Sequence, residues 1–187
     1  MRVIAGQFRS RQLHSIRGLD IRPTSDRLRE TLFNVLTAGN PQALEGSIWV
    51  DLFAGTGAVG IEAISRGAAM VYFVDQSRRA AELIRNNLES LKITDGAEIL
   101  QQEVSHAISH LAGRHLRASF IFLDPPYLEQ NIYGETLEAL ASSEFAADAL
   151  IIAEHEKRFD PGEKFGKLKR SRKLEQGDAA LSFYRCA

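Results

Sequence analysis

The sequence predicts an α/β fold in which a mostly parallel β-sheet carries helices on both faces, and three observations predict it. From residue 48 onward, short apolar runs alternate with amphipathic segments of helical period. Each apolar run is continuous, which is typical of strands buried on both faces of a parallel sheet. The tail differs, because a basic extended run, a turn with glycine and a second apolar run predict an antiparallel hairpin at the sheet edge.

Five strands and five helices follow from this pattern. The strands are predicted over residues 48–52, 70–74, 97–100, 120–123 and 149–153, and the helices over 26–37, 57–66, 77–91, 104–111 and 134–143. Thr24, Ser25 and Asp26 are good N-cap residues for the first helix, and Gly67 is the expected end of the second. Residues 1–16 contain short β-like pieces between arginines and predict a small basic hairpin.

The composition is that of one globular domain. The chain has 187 residues, 44% of them apolar and 25% charged, enough to bury a core without disulfides or a structural metal. We expect a single domain over 1–187, with a basic extension and its helix at 1–45 and the core at 46–187. Cys186 is the single cysteine, and the histidines have no metal-ligand spacing, so no metal site is expected.

The location and oligomeric state follow from what the sequence lacks. No apolar run approaches the length of a membrane span, and the start of the chain has no signal-peptide core. We therefore expect a cytoplasmic protein without membrane contact. No long apolar edge requires a partner, so a monomer is expected.

Charge is distributed unevenly although the net charge is only −1. Residues 1–29 carry a net charge of +5, residues 157–187 also carry +5, and the centre carries −11. Such asymmetry is typical of a surface that binds a polyanion such as nucleic acid. We hypothesise that the two basic ends form one continuous face around the ligand cleft. The alternative is that these arginines pair with the acidic centre.

A glycine-rich loop joins the first predicted strand to its helix. Residues 51–60 read DLFAGTGAVG and contain the spacing G-x-G-x-x-G. Glycines let the backbone approach a ligand, and the helix N-terminus offers free N–H groups. Asp75, which ends the second strand, could accept hydrogen bonds from both hydroxyls of a ribose. The loop therefore predicts a nucleoside-containing ligand at the carboxyl edge of the sheet.

Asp51 argues against a dinucleotide at this loop. It lies four residues before Gly55, where its carboxylate would repel a pyrophosphate but suit a cation. S-adenosylmethionine is such a ligand, because it carries an ammonium, a sulfonium and no phosphate. The alternative is that Asp51 only caps the loop or the helix.

The fourth predicted strand is followed by Asp124-Pro125-Pro126-Tyr127. The two prolines fix φ and donate no N–H, so Asp124 and the Pro125 carbonyl form a rigid pair of acceptors. Two acceptors can hold both hydrogens of an exocyclic base amine and turn its lone pair towards a methyl donor, while Tyr127 stacks on the base. Asp124 could also take the proton. The alternative is a plain turn.

Two polar segments have weaker functional signals. Glu154-His155-Glu156 ends the fifth strand and could border a base pocket, but the pattern favours ordinary solvated residues at the end of a strand. Asn86 and Asn87, on the helix after Asp75, are predicted to be structural and to bond a neighbouring loop.

These motifs together resemble a known family. DLFAGTG at 51–57 and DPPY at 124–127 resemble the first and fourth motifs of class I methyltransferases that act on exocyclic amines. RPTSDRLRE at 22–30, with the opening MRVIAG, is similar to the RsmD family of bacterial 16S ribosomal RNA guanine-N2 methyltransferases. The resemblance covers nearly the whole chain. It implies a Rossmann-like sheet of seven strands with a basic N-terminal extension, S-adenosylmethionine as donor, and guanine 966 of the partly or fully assembled small subunit as acceptor.

The resemblance also implies roles for individual residues. Those at the cofactor are Asp51, Phe53, Gly55, Thr56, Gly57, Asp75 and Gln76. Those at the target base are Asp124, Pro125, Pro126 and Tyr127. Those proposed for RNA phosphates are Arg9, Arg11, Arg22, Arg27 and Arg29. The sequence departs from the family in one place, because the Asp-Ala pair expected after the third strand is replaced by His106-Ala107. We therefore expect a backbone group near Ala107, with Glu103 nearby, to contact the adenine amine. His106 is the alternative contact.

Other functions fit the motifs less well. A DNA adenine-N6 or cytosine-N4 methyltransferase would share the chemistry of residues 124–127, but this chain has no separate target-recognition domain. An NAD(P)-dependent oxidoreductase would explain the glycines but neither Asp51 nor residues 124–127. A non-catalytic RNA-binding module would not need an intact Asp124.

Overall fold

The computed structural model describes residues 1–15, 25–126 and 129–187. The helices in these ranges are α1 (Asp26–Thr37), α2 (Ala58–Ser65), α3 (Arg78–Ser90), α4 (Val104–Ala112) and α5 (Asn131–Ala141). The strands are β1 (Ile48–Leu52), β2 (Met70–Val74), β3 (Ala97–Leu100), β4 (Phe120–Leu123), β5 (Leu150–Glu156), β6 (Lys164–Phe165), β7 (Leu168–Gln176) and β8 (Ala179–Cys186). None of the helices in the described part of the chain combines the length and apolar character that a membrane span requires.

These strands form one sheet in the order β3-β2-β1-β4-β5-β8-β7-β6. Strands β1 to β5 are parallel, whereas β8, β7 and β6 are joined antiparallel at one end. The predicted α/β class, the mostly parallel sheet and the C-terminal hairpin are therefore confirmed. The expected seven strands become eight, because β6 has only two residues, too few for a periodic pattern to appear in the sequence.

The strand order reverses at β1. Strands β2 and β3 lie on one side of it, and β4 and β5 lie on the other. Leu52, the last residue of β1, is in register with Val74 of β2 and with Leu123 of β4, so the three carboxyl ends are level. Ligands of open α/β sheets bind outside the carboxyl ends at such a reversal. The fold therefore places the glycine loop and the Asp-Pro-Pro segment side by side.

Two hydrophobic clusters cover the two sides of the sheet. One joins α1, α2 and α3 to strand residues such as Trp49, and we call this side the α2 face. The other joins α4 and α5 to residues such as Val50 and defines the α4 face. Strand residues alternate between the clusters because successive side chains point to opposite faces. On the α2 face, the Trp49 ring stacks between Phe33 and Phe120, with centroids 5.4 and 5.3 Å away.

Most element boundaries agree with the sequence pattern. Strands β1 to β4 begin and end at the predicted residues, and α1 begins as predicted because the Ser25 hydroxyl accepts a hydrogen bond from Leu28 N at 3.1 Å. Two later elements differ. Helix α5 begins at Asn131, three residues earlier than predicted, and β5 continues to Glu156. The end of β5 is extended by its pairing with β8, up to Glu156 opposite Ala179, which a local pattern does not reveal.

The N-terminal segment, residues 1–15, lies against α2 and α3. Of the hairpin predicted here, the structure shows one antiparallel bridge, between Arg2 and Gln12. The buried carboxylate of Glu62 on α2 accepts the N–H groups of Ile4 at 2.8 Å and Ala5 at 3.0 Å. Because a helix side chain satisfies these donors, the segment is held without a longer strand ladder.

Candidate active site

The loop from β1 to α2 lies where the strand order reverses. It passes through left-handed conformations, with φ of 62° at Phe53, 53° at Gly55 and 75° at Gly57. Glycine adopts such values without strain, whereas a residue such as Phe53 does so rarely. Ala54 N donates to the Val74 carbonyl at 2.9 Å, and Gly57 N donates to the Ala54 carbonyl at 2.7 Å. These bonds fix a turn directly before the N-terminus of α2.

Gly60, in the first turn of α2, lets the helix lie close to β2. A β-carbon at this position would come within 2.3 Å of the Phe73 ring and 2.8 Å of a Val71 methyl carbon. No side chain fits there without displacing the strand residues. The third glycine of the G-x-G-x-x-G spacing is therefore required for packing, and it fixes where the N-terminus of α2 points.

Asp51 connects β1 to the same turn of α2. Its side chain is buried, and its Oδ2 accepts a hydrogen bond from Gly60 N at 2.9 Å. Burial raises the pKa of the Asp51 carboxyl to about 8; the Gly60 N–H opposes this shift, and the negative charge of Asp75 adds to it. The capping role that the sequence left open is therefore present. A cation placed beside this carboxyl would favour its ionised form.

Asp75 ties the end of β2 to the glycine loop. Its Oδ2 accepts from Gly55 N at 2.9 Å, and its Oδ1 accepts from Ser77 N at 2.8 Å. A carboxylate oxygen can accept more than one hydrogen bond, so this half-buried group keeps capacity for a ligand hydroxyl. Gln76 is exposed beside it. The structure thus brings together the loop and the acid that the sequence predicted for one ligand.

The residues after β3 continue the same edge of the sheet. Glu103 is the exposed N-cap of α4, and its side chain makes no capping hydrogen bond. Ala107 is fully buried, and its N–H donates to the Glu103 carbonyl at 2.9 Å, so this predicted ligand donor is used within the helix. The sequence did not single out Gln102, whose buried side-chain nitrogen has no hydrogen-bond partner among the described residues. Its position, two residues after the end of β3, is the feature of the sequence that could have identified it.

The Asp-Pro-Pro segment directly follows β4, the neighbour of β1. Asp124 is half-buried, Pro125 is buried and Pro126 is exposed, so the segment runs from the core to the surface. Because β4 ends level with β1, Asp124 lies at the strand end next to the glycine loop. Tyr127, predicted to stack on a base, lies outside the described residues. The geometry therefore brings an acceptor-bearing segment next to the glycine loop and the N-terminus of α2.

The arginines predicted to contact RNA have different environments. Arg9, Arg11 and Arg27 are exposed, and Arg22 lies outside the described residues. Arg29 has to be corrected, because its side chain is completely buried and cannot reach a phosphate. The sequence could not separate Arg27 from Arg29, since burial depends on what packs against α1.

Arg29 instead forms bonds inside the protein. Its Nη2 donates to the Arg2 carbonyl and to Asp26 Oδ1, the latter at 3.0 Å, and its Nε lies 3.8 Å from the Glu62 carboxylate. Burial lowers the pKa of Arg29, against the opposing charges of Glu62 and Asp26. Pairing with acidic residues, the alternative left open above, is therefore what the structure shows at Arg29.

Three cations of the C-terminal strands lie away from the candidate site. Tyr184 pairs with Ile151 near the beginning of β5, so Arg185 lies at the amino-end edge of the sheet. Lys169 pairs with Arg185, and Lys164 pairs with Lys169, which places all three at that edge. The hypothesis of one basic face around the cleft is therefore corrected for this group, because the cleft is at the carboxyl ends of the parallel strands.

Comparison with known proteins identifies relatives along the whole chain. The family model described as conserved hypothetical protein 95 matches residues 1–185. YlbH of Bacillus subtilis (strain 168) is 34% identical over 185 residues, which are 99% of this chain and 98% of that protein. Ribosomal RNA small subunit methyltransferase D of Escherichia coli (strain K12) is 37% identical over 157 residues, which are 83% of this chain and 75% of that protein.

Solved structures share the fold over the same extent. The yhhF protein of Escherichia coli has a TM-score of 0.82 and 31% identity, covering 100% of this chain and 97% of that one. HI0767 of Haemophilus influenzae has a TM-score of 0.76 and 28% identity, covering 99% and 97%. The likeness therefore includes both the parallel half of the sheet and its antiparallel end.

Proposed function

This chain belongs to the family described as conserved hypothetical protein 95, and from that membership we propose that it is an S-adenosylmethionine-dependent methyltransferase of ribosomal RNA. Its relatives in Escherichia coli and Haemophilus influenzae, 37% and 34% identical, are named ribosomal RNA small subunit methyltransferase D. The glycine loop and the Asp-Pro-Pro segment, which resemble class I methyltransferase motifs, follow β1 and β4, and this supports the proposal.

The observation that carries the proposal is the meeting of two segments at the reversal of strand order. The glycine loop follows β1, and the Asp-Pro-Pro segment follows β4, and the two strands end level. A donor held by the first segment and an amine held by the second would face each other across one cleft. Methyl transfer requires this, because the reacting atoms have to approach to about 3–3.5 Å in line.

The cofactor is proposed to bind along the carboxyl ends of β1, β2 and β3, where it would supply an electrophilic methyl group on sulfur. Backbone N–H groups at the start of α2 would bind its carboxylate, and the buried Asp51 would give its ammonium a counter-charge. Asp75 accepts from the ribose hydroxyls. The residues proposed to line the cofactor are Asp51, Phe53, Gly55, Thr56, Gly57, Asp75, Gln76 and Glu103.

The target is proposed to be the N2 amine of a guanine, by the RsmD resemblance guanine 966 of 16S ribosomal RNA. Asp124 and the Pro125 carbonyl accept the two amine hydrogens and turn the nitrogen lone pair towards the methyl group, while Pro126 stiffens the segment and Tyr127 stacks on the base. Asp124 would accept the proton that the amine loses as the N–C bond forms and the methyl–sulfur bond breaks, with S-adenosylhomocysteine as the leaving group. These four groups act on a base that is flipped out of its base stack.

The substrate is proposed to be the small ribosomal subunit or an assembly intermediate, met in the cytoplasm by a monomer of this protein. Exposed arginines of the N-terminal segment and α1 bind the phosphates, which position the RNA without reading its bases. The exposed arginines assigned to this role are Arg9, Arg11 and Arg27. Arg22, which lies outside the described residues, is assigned to it from the sequence.

The test is methyl transfer from labelled S-adenosylmethionine to small subunits that lack the modification, with bare RNA and DNA in parallel. We expect N2-methylguanine, identified by mass, from the subunits. Asp124→Ala should lower turnover at least about 100-fold, because the amine is no longer aligned, while cofactor affinity persists. Asp148→Ala, which changes an exposed acid elsewhere, is the matched control. Methyladenine or methylcytosine would replace the proposed base, and no transfer to any acceptor would refute the activity.

A further inference from the structure

Glu154, at the carboxyl end of β5, departs from the solvated strand end that the sequence favours. Glu154 is only 3% exposed, whereas Glu156, two residues later on the same strand, is exposed. Tyr133 of α5 donates its hydroxyl to the Glu154 carbonyl at 2.8 Å, which fixes the backbone at this point. The fold therefore places an acidic residue inside the protein at this edge of the sheet.

Glu154 lies beside the Asp-Pro-Pro segment. Leu123, the last residue of β4, is in register with Ala153 of β5, so Asp124, directly after β4, and Glu154 of β5 each come one residue past this pair. Neighbouring strands in a sheet are about 4.8 Å apart. The two acids therefore stand next to each other at the edge where the target base is proposed to bind.

The side chain of Glu154 belongs to the α2 face, the side on which the glycine loop enters its helix. Glu154 is in register with Leu181, and Leu181 packs in the cluster of that face, as does Ile152. Phe122 packs in the same cluster, and Asp124 follows it by two residues, one residue beyond the end of β4, so we assign Asp124 to the same face by continuing the strand alternation. Both acids thus lie on one side of one edge.

Two neighbouring carboxylates match the pattern of hydrogen-bond donors on guanine. Guanine has an N1–H next to its N2 amine, so its pairing edge offers adjacent donors. A carboxylate can only accept, and it suits both. In 2-aminopurine the same amine is present, but N1 has no hydrogen and is itself an acceptor. A carboxylate facing N1 would therefore repel 2-aminopurine while the amine-binding groups would still fit.

We propose that Glu154 selects guanine by accepting its N1–H, beside Asp124 and the Pro125 carbonyl, which hold the N2 amine. This inference rests on the proposed function and adds the residue that distinguishes guanine from bases with an unprotonated N1. A site built to bond an N–H rejects an analogue that lacks it far more strongly than a hydrophobic pocket rejects the absence of a methylene.

The test compares guanine with 2-aminopurine at the target position. Small subunits are reconstituted from ligated 16S RNA with either base at position 966, and single-turnover methylation is measured for wild type, Glu154→Gln and Glu156→Gln. Wild type should prefer guanine by about 1000-fold or more. Glu154→Gln should bring the two bases within about tenfold, because an amide can donate to N1 or accept from it. Glu156→Gln, the matched control, should keep the wild-type preference.

The outcomes separate this inference from the proposed function. No N2-methylguanine from the wild type would refute the proposed function itself. N2-methylguanine with a guanine preference that Glu154→Gln leaves unchanged, both bases being slowed equally, would show that Glu154 only supports the backbone and would overturn the inference. If Glu154→Gln does not fold, Glu154→Asp, which keeps the carboxylate, is measured in its place. Glu154→Asp should keep the preference for guanine at a lower rate. Loss of that preference in Glu154→Asp would also overturn the inference.

Discussion

At the scale of single residues, the buried carboxyl of Asp51 makes the stability of the fold depend on pH. Its pKa of about 8 lies above the value of about 3.9 for an exposed aspartate, so the folded protein holds this proton more tightly than the unfolded chain does. Stability from this group is complete below about pH 4 and is lost as the pH rises towards 8. The raised pKa has its main cause in burial, which disfavours the charged form.

Asp51→Asn should remove this pH dependence, because an amide oxygen can still accept from Gly60 N and carries no charge. Between pH 6 and 8 the free energy of unfolding of the variant should rise relative to wild type by up to about 3 kcal/mol, since one pKa unit is worth about 1.36 kcal/mol. Denaturant titrations across this range measure the difference. Saturating S-adenosylhomocysteine, which carries an ammonium, should reduce this difference between the two proteins. If the free energies of unfolding of both proteins changed with pH in parallel, the assignment would be contradicted.

The sequence predicted residues whose role depends on backbone geometry better than residues whose role depends on burial. The glycine loop and Asp75 were identified because glycine and an acid at the end of a strand have few structural alternatives. Arg29 and Glu154 were misjudged for one reason. Whether a charged side chain is solvated is decided by distant parts of the chain, and nothing in the neighbouring residues records it.

At the scale of elements, one residue of α3 joins the N-terminal segment to the glycine loop. The amide of Asn87 is fully buried; its oxygen accepts from His14 N at 2.7 Å. Its nitrogen donates to the His14 carbonyl at 3.2 Å and to the Thr56 carbonyl at 3.0 Å. The bond to a neighbouring loop predicted for the asparagine pair is therefore confirmed for Asn87. Asn86 is exposed, and the sequence alone could not tell the two apart.

Asn87→Ala should lower the free energy of unfolding by about 2 kcal/mol or more, because it leaves buried backbone groups of two segments without partners. Asn86→Ala, one residue earlier on the same helix, should change it by less than about 0.5 kcal/mol. Denaturant titrations of both variants at one pH provide the measurement. Equal effects of the two changes would mean that the bonds of Asn87 do not stabilise the fold.

Elements were predictable wherever their signal is local. The alternation of apolar runs and amphipathic helices gave β1 to β4 their bounds, since each of these strands is buried on both faces. The end of β5 and the short β6 exist because other strands pair with them, at Glu156 opposite Ala179 and Phe165 opposite Leu168. Pairing between strands is a property of the tertiary fold, so these elements fall outside what a local pattern can predict.

At the scale of the whole molecule, the cations of the C-terminal strands divide between the two faces of the sheet. Those on the α4 face have partners: Arg170 lies 2.6 Å from Asp160, and Lys173 lies 3.5 Å from Glu175. Arg185 is flanked by Tyr184 and Cys186, which pack in the α4-face cluster, so it points to the α2 face.

Lys169 and Lys164 share the α2 face with Arg185, because they are its successive partners in register across β7 and β6. All three are exposed, and they form no ion pair within residues 1–15, 25–126 and 129–187. Like charges directly opposite one another destabilise a sheet, and a polyanion laid across the row would relieve that repulsion. If the proposed function holds, we expect this row to bind ribosomal RNA beyond the target base.

Replacing Lys164, Lys169 and Arg185 together with serine should therefore weaken binding to small subunits without loss of stability. Each cation that no longer contacts a phosphate makes the negative slope of log K against log salt shallower by about 0.7–0.9. Loss of all three contacts should therefore make the slope shallower by about 2–3. The control replaces Lys157 and Lys173, which both pair with Glu175, and should leave the slope nearly unchanged. Binding is measured at several salt concentrations, with cofactor affinity alongside. If the salt slope changed by the same amount per removed charge in both variants, only net charge would matter, and the row would have no specific part in binding.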